Sequence, residues 1–245
     1  MCLTKFFLSV VCSVVSCFAS SQSVTDTITT LKTNRTKPAV FKAANGKFYK
    51  VTFASDPLRP AAGKSINCRE VVFAGKDRAA AKTSFVTGVP AKSFNTIAEL
   101  IATLTPDSMM RSKLTRKSKR IADEQKNVRL EKNIFLYAMK NETDNDYHLI
   151  IGDNIKLSKA TLFNVEISGV PKRGNATIMG IRNFFKDNFG QVCGPKYAVF
   201  KNDPIPIKVS GSLFYDVDHP AGKVGPVGMR PKTSWEIHPV ASISW

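Results

Sequence analysis

Residues 175–190 read NATIMGIRNFFKDNFG. Ile178, Ile181, Phe185 and Phe189 recur at helical spacing, so one stripe of the segment is apolar. Asn175 is a helix-capping residue type and Gly190 is a stop. The segment therefore predicts one amphipathic helix, and its flanks decide the fold. Three strand-like runs precede it: VRLEKNIFLYAMKNE (128–142), DNDYHLIIGD (144–153) and ATLFNVEIS (160–168). In the first, Leu130, Ile134, Leu136 and Ala138 alternate with more polar neighbours, though imperfectly. Two runs follow: IPIKVSGSLFYDVDH (205–219), with Pro206 at its entry, and SWEIHPVASISW (234–245). Three strands, one helix and two strands is the order of an OB-fold, a small, partly open barrel. The expected class is mainly β (α+β), with an OB-like five-stranded barrel over 128–245.

The first half carries weaker signals. Residues 38–106 read as a small mixed α/β region. AVFKAANGKFYKVTFAS (39–55) is a hairpin around Asn45-Gly46, INCREVVFAG (66–75) a strand, and SFNTIAELIATL (93–104) a helix capped by Ser93 or Asn95. Residues 107–127 form a basic connector with Arg111, Lys113, Arg116, Lys117, Lys119 and Arg120. Residues 22–37 are a polar linker. Residues 1–21 have one early lysine, a short apolar run and small residues, the order of a secretory signal, and the run is too short to span a bilayer. Two processing readings stand: cleavage near Ala19 to Ser21, or a lipobox-like VVSC that leaves lipidated Cys17 at a membrane. A secreted or periplasmic protein is expected, with the membrane-attached lipoprotein as alternative. Export permits a disulfide between Cys68 and Cys193, but no CxxC or other zinc-like spacing occurs.

The chain of 245 residues has a formal charge of +17 and a pI near 9.8. Such a field attracts polyanions. Its 43% hydrophobic content excludes a disordered chain. There are only three histidines, and each follows an acidic residue by one or two positions: Asp146 and His148, Asp218 and His219, Glu236 and His238. On the expected strand order all six lie at one mouth of the barrel. Neutral imidazole with carboxylate binds a divalent metal, or acts as a general acid–base pair. A structural reading has them fasten the Gly/Pro-rich loop after the fourth strand. Alternation puts Trp235 and Ile237 on one side of the last strand and Glu236 and His238 on the other. No H-E-x-x-H or G-x-S-x-G motif is present.

SKRIADEQKNVRLEKNIFLYAMKNETDNDYHLIIGD, FNVEISGVP, SGSLFYDVDH and TSWEIHPV together resemble a family of uncharacterised exported bacterial proteins. The resemblance covers about half the chain, 118–240. It implies an OB-like fold and no particular activity. Three functions are carried forward. The first is a non-enzymatic, exported binding module for single-stranded nucleic acid or anionic polysaccharide. It would use Tyr147, Tyr215 and Trp235 as framing or stacking rings, with Phe214 more plausible as core, and Arg116, Lys117, Lys119 and Arg120 as phosphate contacts. The second is a metal-dependent hydrolase, a nuclease or phosphodiesterase, with the six histidine and acidic residues at the metal. The third is a structural envelope protein.

Overall fold

The computed structural model describes residues 39–42, 47–54, 70–189, 194 and 196–245. The signal segment with Cys17, the linker, the Asn45-Gly46 turn, Cys68, Gly190 and Cys193 lie outside the described residues. The strands are β1 (Ala39–Lys42), β2 (Phe48–Ala54), β3 (Ala91–Phe94), β4 (Asn127–Asn141), β5 (Tyr147–Gly152), β6 (Leu162–Ile167), β7 (Tyr197–Val199), β8 (Ile205–Tyr215) and β9 (Trp235–Ser244). The helices are α1 (Ala79–Lys82), α2 (Ile97–Ala102), α3 (Asp107–Lys113) and α4 (Ala176–Phe189). None of the described helices is long and apolar enough to cross a membrane.

Five strands close a barrel in the order β4, β5, β6, β9, β8 and back to β4. Every pairing is antiparallel except β6 with β9. This is the OB-like barrel expected from the element order, with α4 between its third and fourth strands. Short β7 also lies in that connection and escaped the sequence reading. Leu136, Leu149, Ile151, Val165, Leu213 and Ile237 fill the interior, all fully buried. Each such side chain contributes roughly 1.5–3 kcal/mol relative to exposure. Asn175 caps α4 by accepting from the Ile178 amide at 3.1 Å. The buried stripe of α4 sets Phe185 against Tyr147, ring centroids 5.1 Å apart, and Phe189 against Trp245 at 4.6 Å.

Several local expectations need correction. The imperfect alternation of β4 has a cause: its pairing shifts register between Leu130 and Ile134 and again between Leu136 and Ala138. Ala138 therefore joins a second apolar cluster with Tyr137, Ile150 and Tyr197, not the barrel interior. Helix α2 is capped by Thr96, whose side chain accepts from the Glu99 amide, rather than by Ser93 or Asn95. Residues 70–75 are not a strand; they make one isolated bridge, Val72 to Val170. The first half shares the barrel's core rather than building its own: Tyr49, Val51, Phe94, Ile97 and Leu100 belong to the same cluster. β3 runs parallel to the start of β4, and β7 carries β2 alongside its end. The basic segment is anchored too. Lys117 and Lys119 are exposed, but Leu114 is buried and Arg120 reaches under the barrel wall.

Pro239 cannot donate to a ladder, and β9 slips register there against β8. Gly211 makes the slip possible. A Cβ at Gly211 would lie 2.4 Å from the Pro239 carbonyl oxygen and 2.6 Å from Ile237.

Candidate metal centre

Strand alternation builds the site. Trp235 and Ile237 enter the core cluster, as expected, so Glu236 and His238 face the outer wall. By the same count Phe214 and Asp216, Asn164 and Glu166, and His148 face outward from β8, β6 and β5. The wall is nonetheless dry. Asp146, His148, Glu236 and His238 have no exposed area, and Glu166 and Asp216 have 2% or less.

The chain's own residues cover it. Phe73 and Ala74 donate their amides to the carbonyls of Val170 and Asp144. Arg78 lies 4.4 Å over the Phe214 ring and makes a two-point ion pair with Glu124, at 2.9 and 2.6 Å. Lys82 reaches Asp216 at 2.9 Å. The loop 216–234 folds back from the other side. Asp107 holds its end, accepting from Thr233 Oγ1 and the Ser234 amide. The face that an OB-fold usually offers to a ligand is thus occupied.

Under this cover the three imidazoles converge. His219 Nδ1 stands 3.4 Å from Asp216 Oδ2, 3.5 Å from Glu166 Oε1 and 3.6 Å from Glu236 Oε2. His148 Nε2 is 3.9 Å from the same Glu166 oxygen, and the His148 and His219 rings are 5.5 Å apart. His238 Nδ1 is 2.9 Å from Glu166 Oε2 and 3.1 Å from Glu236 Oε1, and its Nε2 is 3.4 Å from Asp146 Oδ2. Behind His148, Nδ1 and Tyr197 Oη share a hydrogen bond of 2.9 Å. Three overlapping triplets have donor atoms close enough to share a cation: His148, Glu166 and His219; Asp146, Glu166 and His238; Asp216, His219 and Glu236. Among the described residues, His148 Nε2, Asp146 Oδ2, Glu236 Oε2 and His238 Nε2 have no hydrogen-bond partner, although each is fully buried. Buried polar atoms are rarely left so.

The electrostatics call for positive charge. Burial opposes a charged His219, yet Asp216, Glu236 and Glu166 overcome it and raise its pKa to about 9. Burial is likewise outweighed at His238 by Glu166 and Asp146, raising it to about 10. His148, by contrast, is lowered by burial and stays neutral. Burial would raise Glu166, but His238 and Lys82 hold it well below the usual carboxylate range.

A cleft of about 300 Å³ opens beside the centre. Its lining includes Lys76, Lys82, Arg116, Asp144, Asp216 and His219. His219 and Asp216 thus belong both to the centre and to the cleft wall.

The sequence-predicted residues divide. Asp146, His148, His219, Glu236 and His238 come together, but on the outer wall under a covering segment, not at an open mouth. Asp146 serves His238 rather than its neighbour His148. Asp218 is not in the cluster: its carboxylate turns to Arg116 at 2.8 Å. Tyr147, Tyr215 and Trp235 are at most 4% exposed and lie in the barrel core, with no ring face for a base. Phe214 is also buried, on the wall side. Arg120 donates to the carbonyls of Leu213, Ala81, Ser84 and His238, so it is structural. Arg116, Lys117 and Lys119 remain exposed. Glu166, Lys82 and Tyr197 were missed as site residues. Glu166 had a signal: Phe163, Val165 and Ile167 claim the inner face of its strand, leaving a carboxylate outward opposite His148. Lys82 and Tyr197 had none.

Comparison with protein-family models, with curated proteins and with solved structures finds no match to this chain.

Proposed function

We propose that the protein is an exported, metal-dependent hydrolase of phosphate esters, with a divalent cation held by His219, Asp216, Glu166, Glu236 and His148. One observation carries this reading: the three carboxylate oxygens around His219 Nδ1, at 3.4–3.6 Å. These are longer than hydrogen bonds, which run about 2.7–3.2 Å. They match the three edges from one vertex of a coordination tetrahedron of His219, Asp216, Glu166 and Glu236, about 3.3–3.6 Å for ligands about 2.0–2.2 Å from one ion. His148, 3.9 Å from Glu166, adds a fifth donor. The donor set, imidazole and carboxylate without thiolate, suits zinc, manganese or ferrous iron. Tyr197 fits an orienting role. If its oxygen accepts from Nδ1–H, the Nε2 lone pair of His148 is left for the ion.

A divalent cation polarises a phosphoryl oxygen and lowers the pKa of a coordinated water. The chain's residues do the rest. Lys76, Lys82 and Arg116 line the cleft, but Asp77, Glu142, Asp144, Asp216 and Asp218 line it too, so the attraction for an anionic group there depends on the cation. The charge of +17 favours a polyanion, with single-stranded nucleic acid ahead of anionic polysaccharide because the former carries the phosphodiester. Chelator-treated protein is titrated with Zn²⁺ or Mn²⁺ and assayed on bis(p-nitrophenyl) phosphate and a single-stranded oligonucleotide. Metal-restored cleavage, lost in His219→Ala, is the expected result. Protein that takes up no metal and melts identically with and without it ends this reading. Uptake without cleavage, with salt-sensitive oligonucleotide or heparin binding, returns the non-enzymatic polyanion module.

A further inference from the structure

Resting on that metal reading, we infer that the centre is dinuclear, with Glu166 and Glu236 each bridging two divalent cations. Both carboxylates are split in the same sense. Glu166 turns Oε1 to His219 and Oε2 to His238. Glu236 turns Oε2 to His219 and Oε1 to His238. Two imidazoles thus face each other across a pair of glutamates. Asp216 adds a carboxylate at the same nitrogen of His219, while Asp146 stands behind the His238 ring, at Nε2, where a carboxylate orients the imidazole toward an ion at Nδ1.

The fold builds this arrangement from strand register. β6 and β9 pair in parallel with Asn164 opposite Glu236 and Val165 opposite Ile237. One step further along both strands, Glu166 and His238 are neighbours. Parallel pairing keeps Glu236 and Glu166 staggered by two positions on one face, spanning the same gap.

Two observations point to a second ion, the spacing at His238 and the buried carboxylates. His238 Nδ1 lies 2.9 and 3.1 Å from its two glutamate oxygens. That is the edge length of right-angled coordination, about 2.8–3.1 Å for ligands about 2.0–2.2 Å from an ion. Among the described residues, His148 Nε2 and Glu236 Oε2 near His219 are buried without a hydrogen-bond partner, whereas Asp146 Oδ2 and His238 Nε2 face each other at 3.4 Å. Finally, Asp146, Glu166, Asp216 and Glu236 are all buried, and among the described residues only Asp216 has a lysine in contact. Two-metal sites hold their ions about 3.5–4 Å apart and clamp both the attacking and leaving oxygens of a phosphoryl transfer.

The same spacing at His238 serves a protonated imidazole, and metal counting separates the two. The full chain is stripped with chelator, titrated with MnCl₂, and read by elemental analysis and electron paramagnetic resonance. Two Mn²⁺ per chain with the multiline spectrum of a carboxylate-bridged pair is the expected result. Asp146→Asn should then weaken the second ion at least tenfold and leave the six-line spectrum of an isolated one. If that variant fails to fold, the wild-type spectrum still decides. A single Mn²⁺ with an uncoupled spectrum overturns the dinuclear centre and leaves the one-ion hydrolase intact. No bound Mn²⁺ or Zn²⁺ overturns both.

Discussion

The two faces of the barrel wall are equally dry and held by opposite means. Inside, Leu149, Val165, Leu213 and Ile237 have no exposed area and belong to one apolar cluster. Outside, one residue along the same strands, His148, Glu166 and Glu236 are as deeply buried and meet charge. An interior built from dispersion and hydrophobic burial tolerates volume-conserving exchange. A buried charge cluster does not, because removing one member strands the others. The strands are shared, so the contrast between faces is a contrast of chemistry and not of position.

The sharpest break comes from Glu166→Ala. It removes the oxygens that face both His219 and His238 and leaves buried charge uncompensated, a loss of about 3–5 kcal/mol. Leu149→Ala on the inner face of β5 should cost about 2–5 kcal/mol, and Leu149→Met below about 1.5 kcal/mol. Urea unfolding of the three variants checks the ranking. If Glu166→Ala costs less than Leu149→Met, the outer wall is not held by charge.

Alkaline pH separates the faces next. His219 and His238 are raised in the folded chain from an ordinary value near 6.5 to about 9 and about 10. Their contribution to metal-free stability is therefore fully present below about pH 6.5 and lost as pH rises through those two values. Thermal melts of chelated protein between pH 7 and 10.5 should fall steadily, and His238→Ala should flatten the fall. Leu149, Val165, Leu213 and Ile237 on the inner face carry no titratable group, so an unchanged melting temperature across that range contradicts the assignment.

A smaller effect tests the cap that seats α4 on the barrel. Asn175→Ala loses one hydrogen bond to the Ile178 amide and should cost about 1 kcal/mol, read from the denaturant midpoint. The smallest is Arg116→Ala. Its pair with Asp218 is largely solvent-exposed, and its loss should change stability by about 0–1 kcal/mol while weakening oligonucleotide binding at low salt. A large loss of stability would move Arg116 from the cleft rim into the structural network.

The barrel was legible because its signals are local. Alternation around Leu149 or Ile237 and the stripe of α4 each fit within one element, and their order along the chain gave the topology. The convergence of the histidines followed from that order. The cover did not. Val72 makes a lone bridge, and Lys82 finds Asp216 across a separation of 134 residues, with no periodic pattern to announce it. Trp235 and Tyr215 misled for a related reason. An aromatic in a strand looks the same whether it faces a ligand or the core, and here T-shaped packing between the two rings, with centroids 5.5 Å apart, decides for the core. Asp216 and Asp218 both lie past the end of β8, two residues apart, yet only Asp216 turns to His219, and Asp218 turns to Arg116.

The parallel pairing of β6 with β9 has a consequence for biogenesis. Glu236 and His238 are synthesised roughly seventy residues after Glu166, whose strand they must lie beside. A ribosome-bound chain that has made β4, β5, β6 and α4 therefore has an unclosed sheet and half a set of donors. Nothing in that intermediate can hold the carboxylates of Asp146 and Glu166 in their final dry setting, so the centre is assembled after translation of the last strand and not during it. If the chain is exported unfolded, the proposed centre would take its ions at the destination, from the supply outside the compartment where the chain was made.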